Sequence, residues 1–170
     1  MKILFLGAPG SGKSTQGEML AKDLGVEWLS SGQILREMKD PLLAKKMKAG
    51  ELINDGFVTE IMLNEMEGRD DVVLDGFPRT KVQAEAIAGE NIKIDKIIEI
   101  VVPIEEITQR MLGRGRIEDV EDVIKKRIEI YEKSRNEIVG VLKENGSDFV
   151  KIDGVGKIDE IFNRVKEVLK

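Results

Sequence analysis

The stretch Gly7-Ala8-Pro9-Gly10-Ser11-Gly12-Lys13-Ser14-Thr15 sets a cation and two hydroxyls behind three glycines, and the chemistry open to that group is the binding of phosphate esters. The pattern Gly7-x-x-x-x-Gly12-Lys13-Ser14 fills every slot of a phosphate-binding loop. Glycines at 7, 10 and 12 permit backbone conformations closed to other residues, so successive N–H groups turn inward on phosphate oxygens. Lys13 then reaches the outer phosphates, and the hydroxyl of Ser14 or Thr15 is suited to ligate Mg²⁺. A glycine-rich turn that binds nothing is the bland alternative. Against it stand an apolar run before the loop and an amphipathic stretch after it, the strand and helix that the motif requires. A further chemical group, Asp75, ends the apolar run Val72–Leu74, and in an open α/β sheet ligands bind at such strand ends. A carboxylate there fits Mg²⁺ held through water, although an Asp after a buried strand is more often a helix cap or turn former.

Groups so placed need a rigid frame. Short apolar runs at Ile3–Leu6, Glu27–Leu29, Val72–Leu74, Ile97–Val102 and Phe149–Ile152 alternate with longer segments of helical period. This alternation predicts an α/β fold, a five-stranded parallel sheet flanked by helices in three α/β/α layers. Lys13–Leu24 is the helix after the glycine loop, and its positive end adds to the phosphate nest. Ser31 reads as the N-cap of a helix over 32–38; Pro41 starts a second short helix that Gly50 ends. Val120, Ile124, Ile128, Tyr131, Ile138 and Leu142 form one stripe of a long helix from about Asp119 to Glu144, read as core packing. Its flanking charges, such as Lys125, Lys126, Glu129 and Glu132, read as a solvated face. No internal repeat, low-complexity segment or linker interrupts the chain.

Composition narrows what else can act. The chain has 170 residues, a formal net charge of −5 and 35% charged residues, and it contains neither cysteine nor histidine. That length suits one well-buried core and a single domain over 1–170. The acidic balance offers no broad basic field to nucleic acid or to an anionic membrane, so a bound anion must be gripped by a local cluster. Disulfides, the usual zinc sites, thiol nucleophiles and histidine acid–base chemistry are excluded together. The N-terminal apolar run is only about five residues and leads straight into the glycine loop, so it reads as a strand rather than a signal peptide or span. A cytoplasmic protein is expected.

At 72–80 the sequence VVLDGFPRT places Gly76-Phe77-Pro78-Arg79 directly after Asp75, and together with the glycine loop it resembles the adenylate kinases, within the nucleoside monophosphate kinases. The resemblance runs nearly end to end, through GAPGSGKSTQ, LSSGQILR, AGELIND, LDGFPRT with Gln83, QRMLGRGRIED, KKRIEIY and DGVGKIDEI. It implies the P-loop NTPase fold and reversible transfer of the terminal phosphoryl of Mg·ATP to AMP, giving two ADP. By the same resemblance Gly7, Pro9, Gly10, Ser11, Gly12, Lys13, Ser14 and Thr15 cradle the ATP phosphates. Arg110 stacks on the ATP base, and the backbone of Gly154, Val155 and Gly156 lines its rim. Ser31, Gly32, Arg36, Arg79 and Gln83 hold AMP, with Arg36 and Arg79 on its phosphate and Gln83 on the adenine edge. Backbone groups near Glu51 and Ile53 and at Gly76 complete that pocket. Lys13, Arg79, Arg114, Arg116 and Arg127 are the catalytic cations, and Mg²⁺ is held by Ser14, Thr15 and, through water, Asp75. Glu118 and Asp119 match the family's paired carboxylates after the lid; as a bland alternative they crowd a helix N-terminus, where negative charge is stabilising anyway.

The sequence also departs from its relatives. They carry an insertion between the arginines matching Arg114 and Arg116, where this chain has only Gly115. A minimal lid is therefore expected at about 112–118, beside a short AMP-binding helical insertion at about 31–58. The segment that carries zinc in some relatives is missing, so no zinc is expected. Gln33 replaces a usual acidic residue, Glu51 a basic or polar one, and Ser14 a glycine. A kinase for UMP or CMP shares almost all these motifs; the Ser31 hydroxyl and the ability of Gln83 to pair with an adenine edge favour AMP. From another class comes a nucleotide-hydrolysing switch or binding module, which would show a guanine-selecting motif and would not need Arg36, Arg79 and Gln83.

Overall fold

Alternation along the strands decides the layering. In the computed structural model, which describes residues 1–116 and 119–170, five parallel strands form one sheet: β1 (Lys2–Leu6), β2 (Glu27–Ser30), β3 (Val72–Asp75), β4 (Lys96–Val101) and β5 (Asp148–Asp153), in the order β2-β3-β1-β4-β5. Register sets Leu4 beside Leu74 on one side and Ile97 on the other. Successive side chains point to opposite faces, and both faces are apolar, as an all-parallel sheet requires. Eight helices are assigned among the described residues: α1 (Lys13–Leu24), α2 (Ser31–Glu37), α3 (Pro41–Lys48), α4 (Asp55–Met66), α5 (Lys81–Gly89), α6 (Ile104–Arg114), α7 (Glu121–Glu144) and α8 (Ile158–Glu167). Leu4, Leu6, Leu74 and Ile97 pack with Met62 of α4, Ile87 of α5 and Ile138 and Leu142 of α7. Ile3, Phe5, Val73 and Ile98 pack with Leu20 of α1, Met111 of α6, Ile124 of α7 and Ile161 of α8. Helices thus cover the sheet on both sides, the three layers expected. No helix among the described residues is long and apolar enough to cross a membrane.

Element boundaries differ from the sequence reading where side chains take tertiary partners. Ser31 is not a cap. Ser30, still extended at the end of β2, is the N-cap of α2 and accepts the Gln33 N–H at 3.4 Å, while Ser31 is the first helical residue. The α7 stripe begins at Ile124, because Val120 is itself the extended N-cap and is 52% exposed. Pro41 opens α3 as expected, with Asp40 accepting from the N–H groups of Leu42 and Leu43. Gly50, at φ +65°, follows the end of α3, and a Cβ there would stand 2.8 Å from Val123 Cγ1 of α7. The joint between α3 and α4 is therefore pressed against α7. The expected insertion boundary at 58 falls inside α4, whose Val58, Met62 and Met66 are buried in the core.

Candidate active site

The carboxyl ends of β1 and β3 open into a cleft of about 490 Å³, within the range of small-molecule sites. Of the residues expected at a site, all line this cleft except Ser11, Asp119, Gly154 and Val155, while Glu118 lies outside the described residues. The loop from β1 to α1 turns tightly, Ser11 N–H donating to Ala8 O at 3.1 Å. Ser11 is tucked beneath it: a Cβ on Gly7 would come 2.6 Å from Ser11 Oγ, and one on Gly10 would come 2.6 Å from Met111 Cγ, so both glycines are sterically required. Lys13 extends back along the loop, its Nζ donating to Ala8 O at 3.4 Å. Burial lowers the Lys13 pKa to about 8; Asp75 opposes that shift, and Arg79, Arg114 and Arg127 add to it. Four cationic side chains therefore feel one another across the cleft.

Below the loop, the Ser14 hydroxyl donates to Asp75 Oδ2 at 2.6 Å and the Ser30 hydroxyl to the same oxygen at 3.2 Å. The other oxygen, Oδ1, is buried with no hydrogen-bond partner among the described residues. An unsatisfied carboxylate oxygen next to a serine hydroxyl and a phosphate nest fits a divalent cation with hard oxygen ligands. Thr15 lines the same cleft from the first turn of α1.

The loop after β3 builds the other half. Ser31 Oγ donates to Gly76 O at 2.5 Å and Arg79 Nε to the same carbonyl at 2.7 Å, so Gly76 ties α2 to Arg79. Arg36 and Arg79 converge over Gly32, where an added Cβ would lie 3.4 Å from a terminal nitrogen of each. Enclosure by protein lowers the Arg79 pKa from its ordinary value; Asp75 opposes this, and Arg127 and Arg36 reinforce it, although the side chain still faces the solvent filling the cleft. Gln83, expected on a base edge, is 2% exposed and already engaged on both sides, accepting the Arg79 N–H at 2.7 Å and donating to Asp55 Oδ1 at 2.8 Å. Asp55 escaped the sequence reading. No local pattern marks an Asp at a helix start as the partner of a residue 28 positions on.

Arginines of α6 and α7 close the remaining side. Arg110 pairs with Glu106 one turn back and donates to Gly154 O at 2.9 Å and Ser11 O at 3.4 Å, so it bridges the phosphate loop and the end of β5. Gly154 itself packs on Ile100 and Val102, with its N–H on Val101 O, and Val155 is exposed; of the three rim residues only Gly156 reaches the cleft. Arg114 ends α6 and forms a bidentate pair with Asp119, at 2.8 and 2.7 Å. Burial disfavours the charged Asp119, but the Arg114 hydrogen bonds and charge outweigh it and hold this carboxyl below its ordinary pKa. Arg127 donates to Met47 O at 2.9 Å, and Lys126 to Ala49 O at 3.1 Å, so α7 grips the end of α3. One turn further on, Glu99 of β4 accepts from Tyr131 at 2.5 Å and from two nitrogens of Arg135. This buried pair fixes α7, and with it Arg127, to the sheet.

The parallel sheet with a glycine loop between β1 and α1 defines a P-loop nucleotide-binding protein of the α/β class. A family model described as adenylate kinase matches residues 5–147. The chain is 36% identical to the adenylate kinase of Mycobacteroides abscessus over 182 aligned residues, 99% of each chain. It is 38% identical to that of Nocardia farcinica over 99% of each, and 34% identical to that of Thermus thermophilus over 98% of this chain and 96% of the relative. This chain belongs to the adenylate kinase family. Alignments of 181 or 182 positions exceed its 170 residues, so these relatives carry segments it lacks.

Proposed function

We propose that this chain catalyses reversible transfer of the terminal phosphoryl of Mg·ATP to AMP, giving two ADP. The observation that carries the reading is the electrostatic convergence of Lys13, Arg79, Arg114 and Arg127 on one part of a cleft that has a phosphate loop on one side and Arg36 with Arg79 on the other. Such a concentration of cations is relieved by a polyanion lying across both halves. Phosphoryl transfer asks for little covalent help from the protein, so positioned positive charge and excluded water supply most of the acceleration. The phosphate of the acceptor is already ionised. No general base is needed, in keeping with a chain that has no histidine.

In this reading the loop N–H groups and Lys13 hold the donor phosphates, Arg36 and Arg79 hold the acceptor phosphate, and Arg114, Arg116 and Arg127 surround the group in transit. Ser14 and Asp75, with Thr15 nearby, would hold Mg²⁺, which would offset the negative charge of the phosphates. The minimal lid of about 112–118, of which 117 and 118 lie outside the described residues, would carry Arg114 at the end of α6, braced by Asp119, with Gly115 alone before Arg116. The same reading keeps the protein in the cytoplasm with its nucleotide substrates. The experiment is a coupled assay with AMP, UMP, CMP and GMP in turn, with and without Mg²⁺. AMP is expected to be the best acceptor and the metal to be required. Transfer to no monophosphate at all would end the kinase reading, and a preference for UMP or CMP would move it to the pyrimidine branch.

A further inference from the structure

Gln83 is buried at the wall of the acceptor half, and its side-chain amide meets two partners of fixed character. The Arg79 backbone N–H can only donate, and it lies 2.7 Å from Gln83 Oε1. The Asp55 carboxylate oxygen accepts, and it lies 2.8 Å from Gln83 Nε2. Exchanging the amide's oxygen and nitrogen would set donor against donor at one end and acceptor against acceptor at the other. Both partners therefore impose the same orientation. The frame extends further: the Thr80 hydroxyl donates to the same Asp55 oxygen at 3.0 Å while its Oγ1 accepts the Gln83 N–H at 3.3 Å. Asp55 thus joins the start of α4 to the first turn of α5 through two hydrogen bonds on one oxygen.

We infer that Asp55 is a specificity-determining positioning residue, which locks the Gln83 amide so that the acceptor site offers its remaining N–H and lone pair in one order only. The inference rests on the proposed kinase activity toward AMP. An adenine edge sets an acceptor, N1, beside an amino donor, whereas a 6-oxopurine edge sets an N1–H donor beside an oxygen acceptor. A freely turning amide serves both by flipping. A locked amide serves one, and in the same pose the other base meets two mismatched groups, each costing an unpaired buried polar atom. Given AMP as acceptor, the order held by Asp55 is the one that suits the 6-aminopurine.

The test compares wild type, Asp55→Ala and Asp55→Asn, with AMP and IMP as acceptors at saturating ATP. For Asp55→Ala the KM for AMP is expected to rise at least about tenfold with a smaller change in kcat, and the preference for AMP over IMP in kcat/KM to fall at least about tenfold. The KM for ATP should stay within about twofold, since Asp55 touches only the acceptor half. Asp55→Asn can still turn an oxygen to Gln83 and is expected to keep most of the preference. A second readout needs no variant: in ¹⁵N NMR of the wild type, the Gln83 side-chain protons should exchange slowly and unequally. A folded Asp55→Ala protein with unchanged KM and preference, or a wild-type Gln83 amide exchanging as fast as a solvent-exposed one, overturns the inference. Should wild type phosphorylate no monophosphate, the kinase reading falls and the inference with it; an active wild type beside an indifferent variant removes the inference alone.

Discussion

Lys13 offers a prediction whose size comes directly from its surroundings. Burial and three neighbouring arginines lower its pKa from 10.5 to about 8, against the pull of Asp75. About nine-tenths of the molecules then carry a charged Lys13 at pH 7 and about one-tenth at pH 9. The terminal phosphate of ATP loses its last proton near neutrality, and earlier when Mg²⁺ is bound, so above pH 7 the protein should set the alkaline limb. Since kcat/KM reports the free enzyme, its value for ATP is expected to fall about tenfold between pH 7 and 9, while kcat at saturation holds to higher pH. The difference arises because bound phosphates favour the charged lysine and raise its pKa again. Binding of ATP at pH 8.5 should accordingly take up about three-quarters of a proton, read by calorimetry in two buffers of different ionisation enthalpy. Lys13→Arg, less active but charged throughout, should lose the limb. A flat kcat/KM up to pH 9.5 together with no proton uptake would refute the claim that these cations crowd one point.

Four further outcomes are expected. Lys13→Met or Arg79→Ala should lower kcat at least about a hundredfold in the coupled assay, because each removes a cation facing the group in transit; a loss below about fivefold would exclude that role. Glu99→Ala should cost about 3 kcal/mol in urea unfolding, since it strands Arg135 and the Tyr131 hydroxyl against the sheet. Burial opposes ionisation of Glu99 and Asp119, but their arginine partners prevail and hold both pKa values below the ordinary 4.5 and 3.8; the stabilisation is therefore complete above those values and lost as pH falls through the depressed ones, a loss that Asp119→Asn should reduce. With only Gly115 between Arg114 and Arg116, ATP should be hydrolysed measurably without any monophosphate; undetectable hydrolysis, with a large swing of residues 110–120 between free and inhibitor-bound crystals, would show a complete lid instead.

What could be read from the chain beforehand divides by sequence distance. The glycine loop was legible because Gly7 to Ser14 carry their geometry locally, and the sheet because β1, β3 and β4 are short apolar runs bounded by turns. Asp75 was legible because it stands where a strand stops. The misreadings at Ser31 and Val120 turn on side-chain partners that local spacing does not reveal. Ser30 and Ser31 are equivalent cap candidates locally, and only the Ser31 bond to Gly76, 45 residues on, separates them. Val120 fits the helical stripe by spacing, yet Asp119 is drawn to Arg114 and α7 starts beyond both. At Gly154, read as backbone on the rim of the base site, the missing side chain also allows close packing on Ile100 and Val102, which no local pattern announces. Asp55 gave no signal at all, since its role exists only once α4 and α5 lie side by side.

The strand order has a consequence for how the molecule comes into being. The strand that delivers the phosphate loop sits in the middle of the sheet, between partners that begin at Val72 and Lys96. On the ribosome the loop sequence is therefore made before either partner and held only after both: a nascent chain halted before Lys96 has Gly7, Gly10, Gly12 and Lys13, but one open edge along β1. Parallel pairing across such separations is slow, because the loop must close before the contact rewards it. A nucleotide that binds the assembled loop and not the open chain favours the completed sheet by mass action. The nucleotide thus ratifies a finished sheet and does not seed an unfinished one.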